Sequence, residues 1–176
     1  FKFAKRCKWT IFNFQRYINM QKIEIKNIPH IKEVSSIILD KNILQEKKLN
    51  CIFEIKEDIV FSFIINSVAY NIIIPLGFQF DSSSIPRGLW LLASPFDKVF
   101  LLSGLVHDFL YRDLPQNKDI NREIADDIYL ILLEHYLLVD AGYSNIYKTL
   151  APVLSYKLVR IFGLKYFKKI NTLNLL

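Results

Sequence analysis

The stretch CIFEIKEDIVFSFIINSVAYNIIIP, residues 51–75, decides the fold. It holds three runs rich in Ile, Val, Phe and Tyr, which are enriched in β-strands. The runs are separated by Glu57-Asp58 and by Asn66-Ser67, and short polar breaks of this kind are typical of tight turns. The stretch therefore predicts antiparallel strands joined by hairpins.

Loop and helix patterns follow these strands. Residues 76–95 contain Gly and Pro among polar and aromatic residues, which indicates a shaped loop. Apolar residues then recur with helical spacing, and we expect helices at about residues 96–112, 121–139 and 145–162. The last of these should be interrupted by Pro152, because proline inside a helix removes a backbone hydrogen bond.

The order of strands and helices predicts the domain organisation. Strands followed by helices predict a single α+β domain over residues 20–176, in which two or three helices pack on a small antiparallel sheet at about residues 52–80. The segment KNILQEKKLN, residues 41–50, has the composition of a polar connector. Residues 1–19 form a basic, aromatic N-terminal arm or an upstream extension, and such an arm suits an anionic membrane or nucleic acid.

The amino-acid composition limits which classes of protein this chain can belong to. The 176 residues are 52% hydrophobic, which is enough for a folded core, and the net charge is +6. Cys7 and Cys51 match neither a disulfide framework nor a paired metal motif, which favours a reduced compartment. No run is long enough for a transmembrane helix and no secretory signal is visible. We therefore expect cytoplasmic synthesis and leave virion association open.

The segment VHDFLYRD, residues 106–113, carries the first candidate functional residues. On a helix, His107 and Tyr111 lie one turn apart on one face, and Asp108 and Arg112 have the same spacing on a neighbouring face. Charged groups in an apolar helix are costly unless they are paired. The pattern therefore indicates either a structural polar network or a functional site.

The segment NREIADDIYLILLEHY supplies a partner for this helix. Asn121 is a good N-cap, and Arg122 and Asp126 are one turn apart where the polar first turns meet the apolar part. Asp126 is therefore the carboxylate that we expect to interact with the polar residues of the first helix. Asp127 is expected to be solvated or to face the helix dipole, and His135 to be a surface or packing histidine.

The segment FDSSSIPR, residues 80–87, lies between the predicted sheet and helices. Asp81 and the serines after it can form local turns, which makes a closing turn the simpler interpretation. The alternative is that Asp81, Ser84 and Arg87 are held for a ligand, since binding residues concentrate on loops anchored by a scaffold.

Four segments together resemble an uncharacterised phage and prophage family, domain of unknown function 1353. They are IIIPLGFQFDSSSIPRGLW, GLVHDFLYR, NREIADDIY and YKLVRIFG, in the family's order within about residues 69–163. The chain departs from the family pattern at Phe80, Ser83 and Asn121, where the family has threonine, alanine and serine. The resemblance places the polar residues of these motifs on the family's signature positions, and it implies no established activity.

The helix motif H-D-x-x-Y also resembles that of phospholipase A2 enzymes. That resemblance implies His107 as a general base, Asp126 as the catalytic carboxylate that orients it, and Asp108 as a metal ligand. The cofactor would then be a divalent cation such as calcium. Apart from this resemblance, we expect Asp81 and Arg87 at the rim of the site. The candidate binding residues are Asp81, Ser84, Arg87, Tyr111 and Arg112.

The expected function is therefore a phage- or prophage-associated hydrolase that acts on a lipid or cell-envelope ester or amide. The alternative is a non-catalytic virion or host-interaction module, in which the same residues form a structural polar network. The expected partners are a membrane or cell-envelope substrate, reached through the site and the basic arm, or phage virion proteins. Nucleic acid is not an expected partner.

Overall fold

The computed structural model describes residues 22–29, 38–45, 48–80, 97–113, 120–139 and 142–173. The predicted arm at residues 1–19 lies outside these residues, and so do three predicted binding residues, Asp81, Ser84 and Arg87. Within the described residues the chain forms antiparallel β-structure followed by helices. The prediction of an α+β fold is confirmed.

The strands form two three-stranded antiparallel sheets, with orders β1-β4-β5 and β2-β3-β6. Their bounds are β1 Ile23–Asn27, β2 Ile38–Gln45, β3 Lys48–Ile55, β4 Ile59–Ile65, β5 Val68–Ile74 and β6 Gln79–Phe80. The predicted small sheet at residues 52–80 is thus divided between two sheets. Each sheet also contains a strand from earlier in the chain, β1 in one sheet and β2 in the other.

The β4–β5 hairpin follows the predicted pattern closely. Asn66 and Ser67 both have positive φ, 50° and 71°, which is the backbone of the tight turns that match strand twist. Alternate residues of β4 face the interior, as a half-buried strand requires. The buried side chains are Ile59, Phe61, Phe63 and Ile65.

The prediction of a polar connector at residues 41–50 is wrong. Residues 41–45 belong to β2 and residues 48–50 to β3, and these strands pair in unbroken register from Ile38 opposite Ile55 to Gln45 opposite Lys48. The apolar end of β3 fixes this register, and the polar residues extend the ladder outward from it. Backbone pairing along a strand does not depend on side-chain polarity, so a polar sequence can continue a hairpin once its register is set.

Three helices follow, α1 Lys98–Asp113, α2 Arg122–Val139 and α3 Asn145–Leu173. Each has a capping side chain before its first turn that accepts a hydrogen bond from a backbone N–H of that turn. The caps are Asp97 for α1, Asn121 for α2 and Ser144 for α3. The predicted N-cap role of Asn121 is therefore confirmed.

Helix α3 continues through Pro152, so the predicted interruption there is wrong. Ala151, Pro152 and Tyr156 are buried, and α3 packs against α2 along this part of its length. Tertiary packing therefore offsets the backbone hydrogen bond that the proline removes. None of the helices in the described part of the chain is long and apolar enough to span a membrane.

Candidate functional site where the three helices meet

The candidate site centres on Asp126 of α2, whose side chain is completely buried. His107 and Tyr111 are one turn apart on α1, and both reach the same carboxylate oxygen. His107 Nε2 lies 3.0 Å from Asp126 Oδ1, and the Tyr111 hydroxyl donates to Oδ1 at 2.5 Å. The predicted spacing on VHDFLYRD therefore directs two polar side chains onto one oxygen.

The second oxygen of Asp126 faces two arginines from different helices. Arg160 of α3 donates through Nη1 to Asp126 Oδ2 at 3.0 Å. Arg122, one turn before Asp126 on α2, places Nη2 3.6 Å from the same oxygen. Arg160 also donates to Glu123 Oε1 at 3.0 Å. Asp126 is thus held by ionic or hydrogen-bonding groups from all three helices.

The Arg122 side chain connects the cluster to the backbone of α3. Its Nη2 donates to the carbonyl oxygen of Arg160 at 2.6 Å and to that of Val159 at 3.4 Å. Its Nε donates to the Tyr111 hydroxyl at 3.4 Å. Arg122 therefore bridges α1, α2 and α3 and fixes their relative positions around Asp126.

These contacts determine the protonation of Asp126 and Tyr111. Burial alone would raise the pKa of Asp126, but hydrogen bonding and charge from His107, with further contributions from Tyr111 and Arg122, lower it below its usual value. Burial and the adjacent carboxylate raise the pKa of the Tyr111 hydroxyl. Asp126 is therefore an ionised acceptor at neutral pH, and Tyr111 remains a protonated donor.

The ionised Asp126 fixes the tautomer of His107. A carboxylate only accepts hydrogen bonds, so the proton of neutral His107 resides on Nε2 and Nδ1 carries a lone pair. Within the described residues, Nδ1 makes no hydrogen bond, and its nearest ionic neighbour is Asp108 Oδ1 at 4.0 Å. His107 is 8% exposed, and the Asp108 side chain is 18% exposed. The basic nitrogen therefore lies on the side of Asp108.

Aromatic rings hold the imidazole in this orientation. The His107 ring lies 4.0 Å from the Tyr111 ring and 5.4 Å from the Tyr129 ring, measured between centroids. Tyr111 and Tyr129 are both buried. A side chain enclosed in this way on a packed helix interface has few alternative rotamers, so the imidazole is preorganised.

Gly163 of α3 makes room for Tyr111. A Cβ atom at position 163 would lie 2.7 Å from the Tyr111 hydroxyl oxygen, closer than side chains pack. Gly163 and Arg160 are three residues apart, on neighbouring turns of the same helix, and both contribute to the cluster. Helix α3 is therefore part of the candidate site.

Arg160 and Gly163 were missed as site residues in the sequence. Both lie in YKLVRIFG, the last segment of the family resemblance, which was the available signal. Nothing local to that segment identifies a partner, because Asp126 is 34 residues before Arg160. Only the packing of α3 against α2 brings the arginine and the carboxylate together.

Arg112 lies away from this cluster. It donates through Nη1 to the carbonyl oxygen of Gln79 at 2.5 Å, and its guanidinium carbon lies 5.4 Å from the centre of the Phe78 ring. These contacts tie α1 to the segment that enters β6. They place Arg112 at a helix–sheet junction, whereas His107 and Tyr111 contact Asp126 of α2.

The expectation that Asp127 is solvated is wrong. Its side chain is buried and accepts a hydrogen bond from the Tyr156 hydroxyl at 2.7 Å, and burial raises its pKa. Helix α3 covers the face that the α2 sequence alone leaves open. His135 is half-buried, and its ring lies edge-on to the Tyr136 ring, in line with a packing role.

The predicted metal-ligand role of Asp108 depends on further ligand side chains close to its carboxylate. The described residues contain no group of three or more His, Cys, Asp or Glu side chains that could hold a metal ion. His107 and Asp126 already bond to each other, so they do not complete a cation site around Asp108.

Fold and site together define an α+β protein whose three helices meet at a buried His–Tyr–Asp–Arg cluster. The chain belongs to the family described as "Protein of unknown function (DUF1353)", whose sequence profile matches residues 53–146. This match extends from β3 into the start of α3 and includes His107, Tyr111 and Asp126, whereas Arg160 follows it. No curated protein and no solved structure matches the chain.

Proposed function

We propose that the protein is a hydrolase in which His107 is the general base and Asp126 orients it. The main support for this proposal is that the two ring nitrogens of His107 have different hydrogen-bonding environments. Nε2 is hydrogen-bonded to the buried, ionised carboxylate of Asp126. Nδ1 keeps its lone pair and makes no hydrogen bond among the described residues. An imidazole held in this way is a suitable base near neutral pH.

The proposed reaction uses water as the nucleophile. Nδ1 of His107 takes a proton as the water oxygen forms a bond to the carbonyl carbon of an ester or amide. Asp126 stabilises the imidazolium that forms at that moment. The tetrahedral intermediate then expels the alcohol or amine, which takes the proton back from Nδ1. The products are a carboxylic acid and the leaving group, and His107 returns to its neutral state.

The substrate class follows from two resemblances. The likeness of the HD-x-x-Y helix to phospholipase A2 supports a lipid ester, and the phage and prophage likeness supports a cell-envelope ester or amide. A phage-associated enzyme would meet such bonds when it crosses the host envelope. Association with virion proteins is part of the same proposal.

A second candidate function is a non-catalytic virion or host-interaction module. It is favoured by the closure of the network around Asp126, whose two oxygens together face two arginines, a histidine and a tyrosine. A cluster of this kind fixes the packing of three helices without any reaction. Here His107 would be one more donor to a structural carboxylate.

Turnover and stability of the same variants separate the two candidates. The substrates are phospholipid in mixed micelles and purified peptidoglycan, and the variants are His107→Ala and Asp126→Asn. A matched control is His135→Ala, which removes an imidazole from α2 outside the cluster. The hydrolase proposal expects His107→Ala to abolish turnover while the fold survives, and Asp126→Asn to lower it less, because the imidazole is only misoriented.

The double variant adds a further criterion. A base and its orienting carboxylate act as one unit, so removing both should cost no more turnover than removing His107 alone. A folded His107→Ala protein with full turnover would eliminate the catalytic role. Absence of wild-type hydrolysis, together with destabilisation of about 1–3 kcal/mol in both variants, would establish the structural network instead.

A further inference from the structure

The outer face of α3 carries an apolar stripe that is exposed in the described part of the domain. Ile146, Leu150 and Ile161 are 73%, 60% and 67% exposed. With 3.6 residues per turn, these three and Lys157 fall within an arc of about 60° on the helix. We call these four residues the outer stripe. Surface helices normally turn their apolar residues inward, so this arrangement needs an explanation.

The inner face of α3 is already occupied. Ala151, Ser155, Tyr156 and Gly163 are buried on the side that packs against the rest of the domain. The helix therefore has apolar surface on two opposite sides, and packing among the described residues accounts for one of them. A helix that is apolar all round is normally buried all round, so the outer stripe requires a second environment.

The charge of α3 indicates what that environment is. The helix contains five lysines and Arg160 but no acidic residue, and Arg160 is paired with Asp126 and Glu123. Lys157 lies within the outer stripe and is exposed. Apolar side chains among lysines suit an anionic lipid surface, where the apolar groups enter the acyl boundary and the ammonium groups stay at phosphate level.

Other occupants fit this surface less well. A second copy of α3 would bring lysines of the same sign together in a partly desolvated contact, which is unfavourable. A nucleic acid would neutralise the lysines, but its phosphates would leave Ile146, Leu150 and Ile161 in a polar environment. The lipid surface alone matches both the apolar and the cationic residues.

We propose that the outer stripe of α3 docks the protein on an anionic lipid surface. Ile146, Leu150 and Ile161 insert at the boundary between head groups and acyl chains, and Lys157 binds lipid phosphate. The stripe is separate from His107, so the docking function holds whether or not the cluster is catalytic. A lipid hydrolase would gain from it, because docking concentrates the enzyme at its substrate.

Co-sedimentation of the full chain with vesicles tests this proposal. The vesicles are pure phosphatidylcholine or an equal mixture of phosphatidylcholine and phosphatidylglycerol, at low and at high salt. The variants are the triple substitution Ile146→Ser, Leu150→Ser and Ile161→Ser, and the single substitution Lys157→Glu. All four positions are exposed, so circular dichroism should show an unchanged fold.

A matched control removes exposed apolar residues elsewhere. Val60 and Ile73 are 42% and 56% exposed and face each other across β4 and β5, so Val60→Ser with Ile73→Ser is the comparison. We expect the wild type and this control to bind the anionic vesicles alike. The triple variant should bind at least about tenfold more weakly, and Lys157→Glu about fivefold or more, because each basic residue near an anionic surface contributes about 1 kcal/mol.

Several results would overturn the proposal. They are no binding of the wild type to anionic vesicles, equal binding to neutral vesicles, and an equal loss in the sheet control. Concentration-dependent dimerisation that the triple variant abolishes would show that a second copy covers the stripe. Turnover on a soluble monomeric ester should be the same in the triple variant, so failure of docking and failure of the hydrolase proposal remain distinguishable.

Discussion

Replacing Gly163 by alanine is expected to destabilise the protein, although alanine is the better helix former. The new Cβ would lie 2.7 Å from the Tyr111 hydroxyl oxygen. Tyr111 is buried, and its hydroxyl lies 2.5 Å from Asp126 Oδ1. The tyrosine can therefore yield to the methyl group only by giving up its hydrogen bond to the carboxylate.

The size of the effect follows from two opposing contributions. A hydrogen bond to a charged group contributes about 1.5–3 kcal/mol. Alanine at position 163 returns about 1 kcal/mol of helix propensity. Gly163→Ala should therefore lower the free energy of unfolding by about 0.5–2 kcal/mol, the difference between the two.

A double-mutant cycle with Tyr111→Phe isolates the contact. Without the hydroxyl, the nearest atoms to the new Cβ would be ring carbons at 3.4 and 3.5 Å, which is ordinary packing. In this background Gly163→Ala should be neutral or stabilising by up to about 1 kcal/mol. Urea unfolding of all four proteins, followed by circular dichroism, gives the comparison. If Gly163→Ala stabilises the wild type, or costs the same in both backgrounds, the close contact does not govern Tyr111.

Three further predictions concern buried or half-buried ionisable groups. Because the pKa of Asp126 is lowered on folding, its contribution to the free energy of unfolding is present above its unfolded pKa of 3.8 and is lost as the pH falls through the folded pKa. Asp126→Asn should therefore weaken the loss of stability at acid pH, measured by urea unfolding at several pH values. Burial raises the pKa of Glu134 to about 7, so the wild type should lose stability as pH rises from 4.5 to about 7, and Glu134→Gln should remove that loss in melting temperatures measured across this range. Tyr156→Phe should lower the free energy of unfolding by about 1–3 kcal/mol, since it leaves the buried Asp127 carboxylate without its hydrogen-bond donor, and an unchanged urea midpoint would contradict this.

Part of the candidate site was predictable because it depends on short spacings. His107 and Tyr111 are one turn apart on α1, so any helix over this segment places them on one face. Asp126 follows from its position where the polar turns of α2 meet the apolar ones. The prediction that these residues form one cluster is supported by direct contacts between Asp126 and both α1 side chains.

Residues that act over long separations were not predictable in the same way. Asp127 looks like a surface carboxylate in the α2 sequence, but Tyr156, 29 residues later, buries it and donates to it. Arg160 reaches Asp126 from α3, and its own neighbourhood shows only a helix with basic residues. Both contacts depend on how α2 and α3 cross, and helix periodicity does not specify that.

Local sequence patterns predict the strands of the β4–β5 hairpin, the three helices and the H-D-x-x-Y face, because each depends on residues within a few positions of one another. Less regular segments join these elements only through long-range packing. Residues 41–45 and 48–50 form β-strands because β2 and β3 pair in one continuous register, and α3 continues through Pro152 because α2 packs against it. Tertiary packing also brings separate charged residues into one cluster. A buried carboxylate is stable only when partners such as arginines and hydroxyls pair with it, and here those partners lie far away in the sequence.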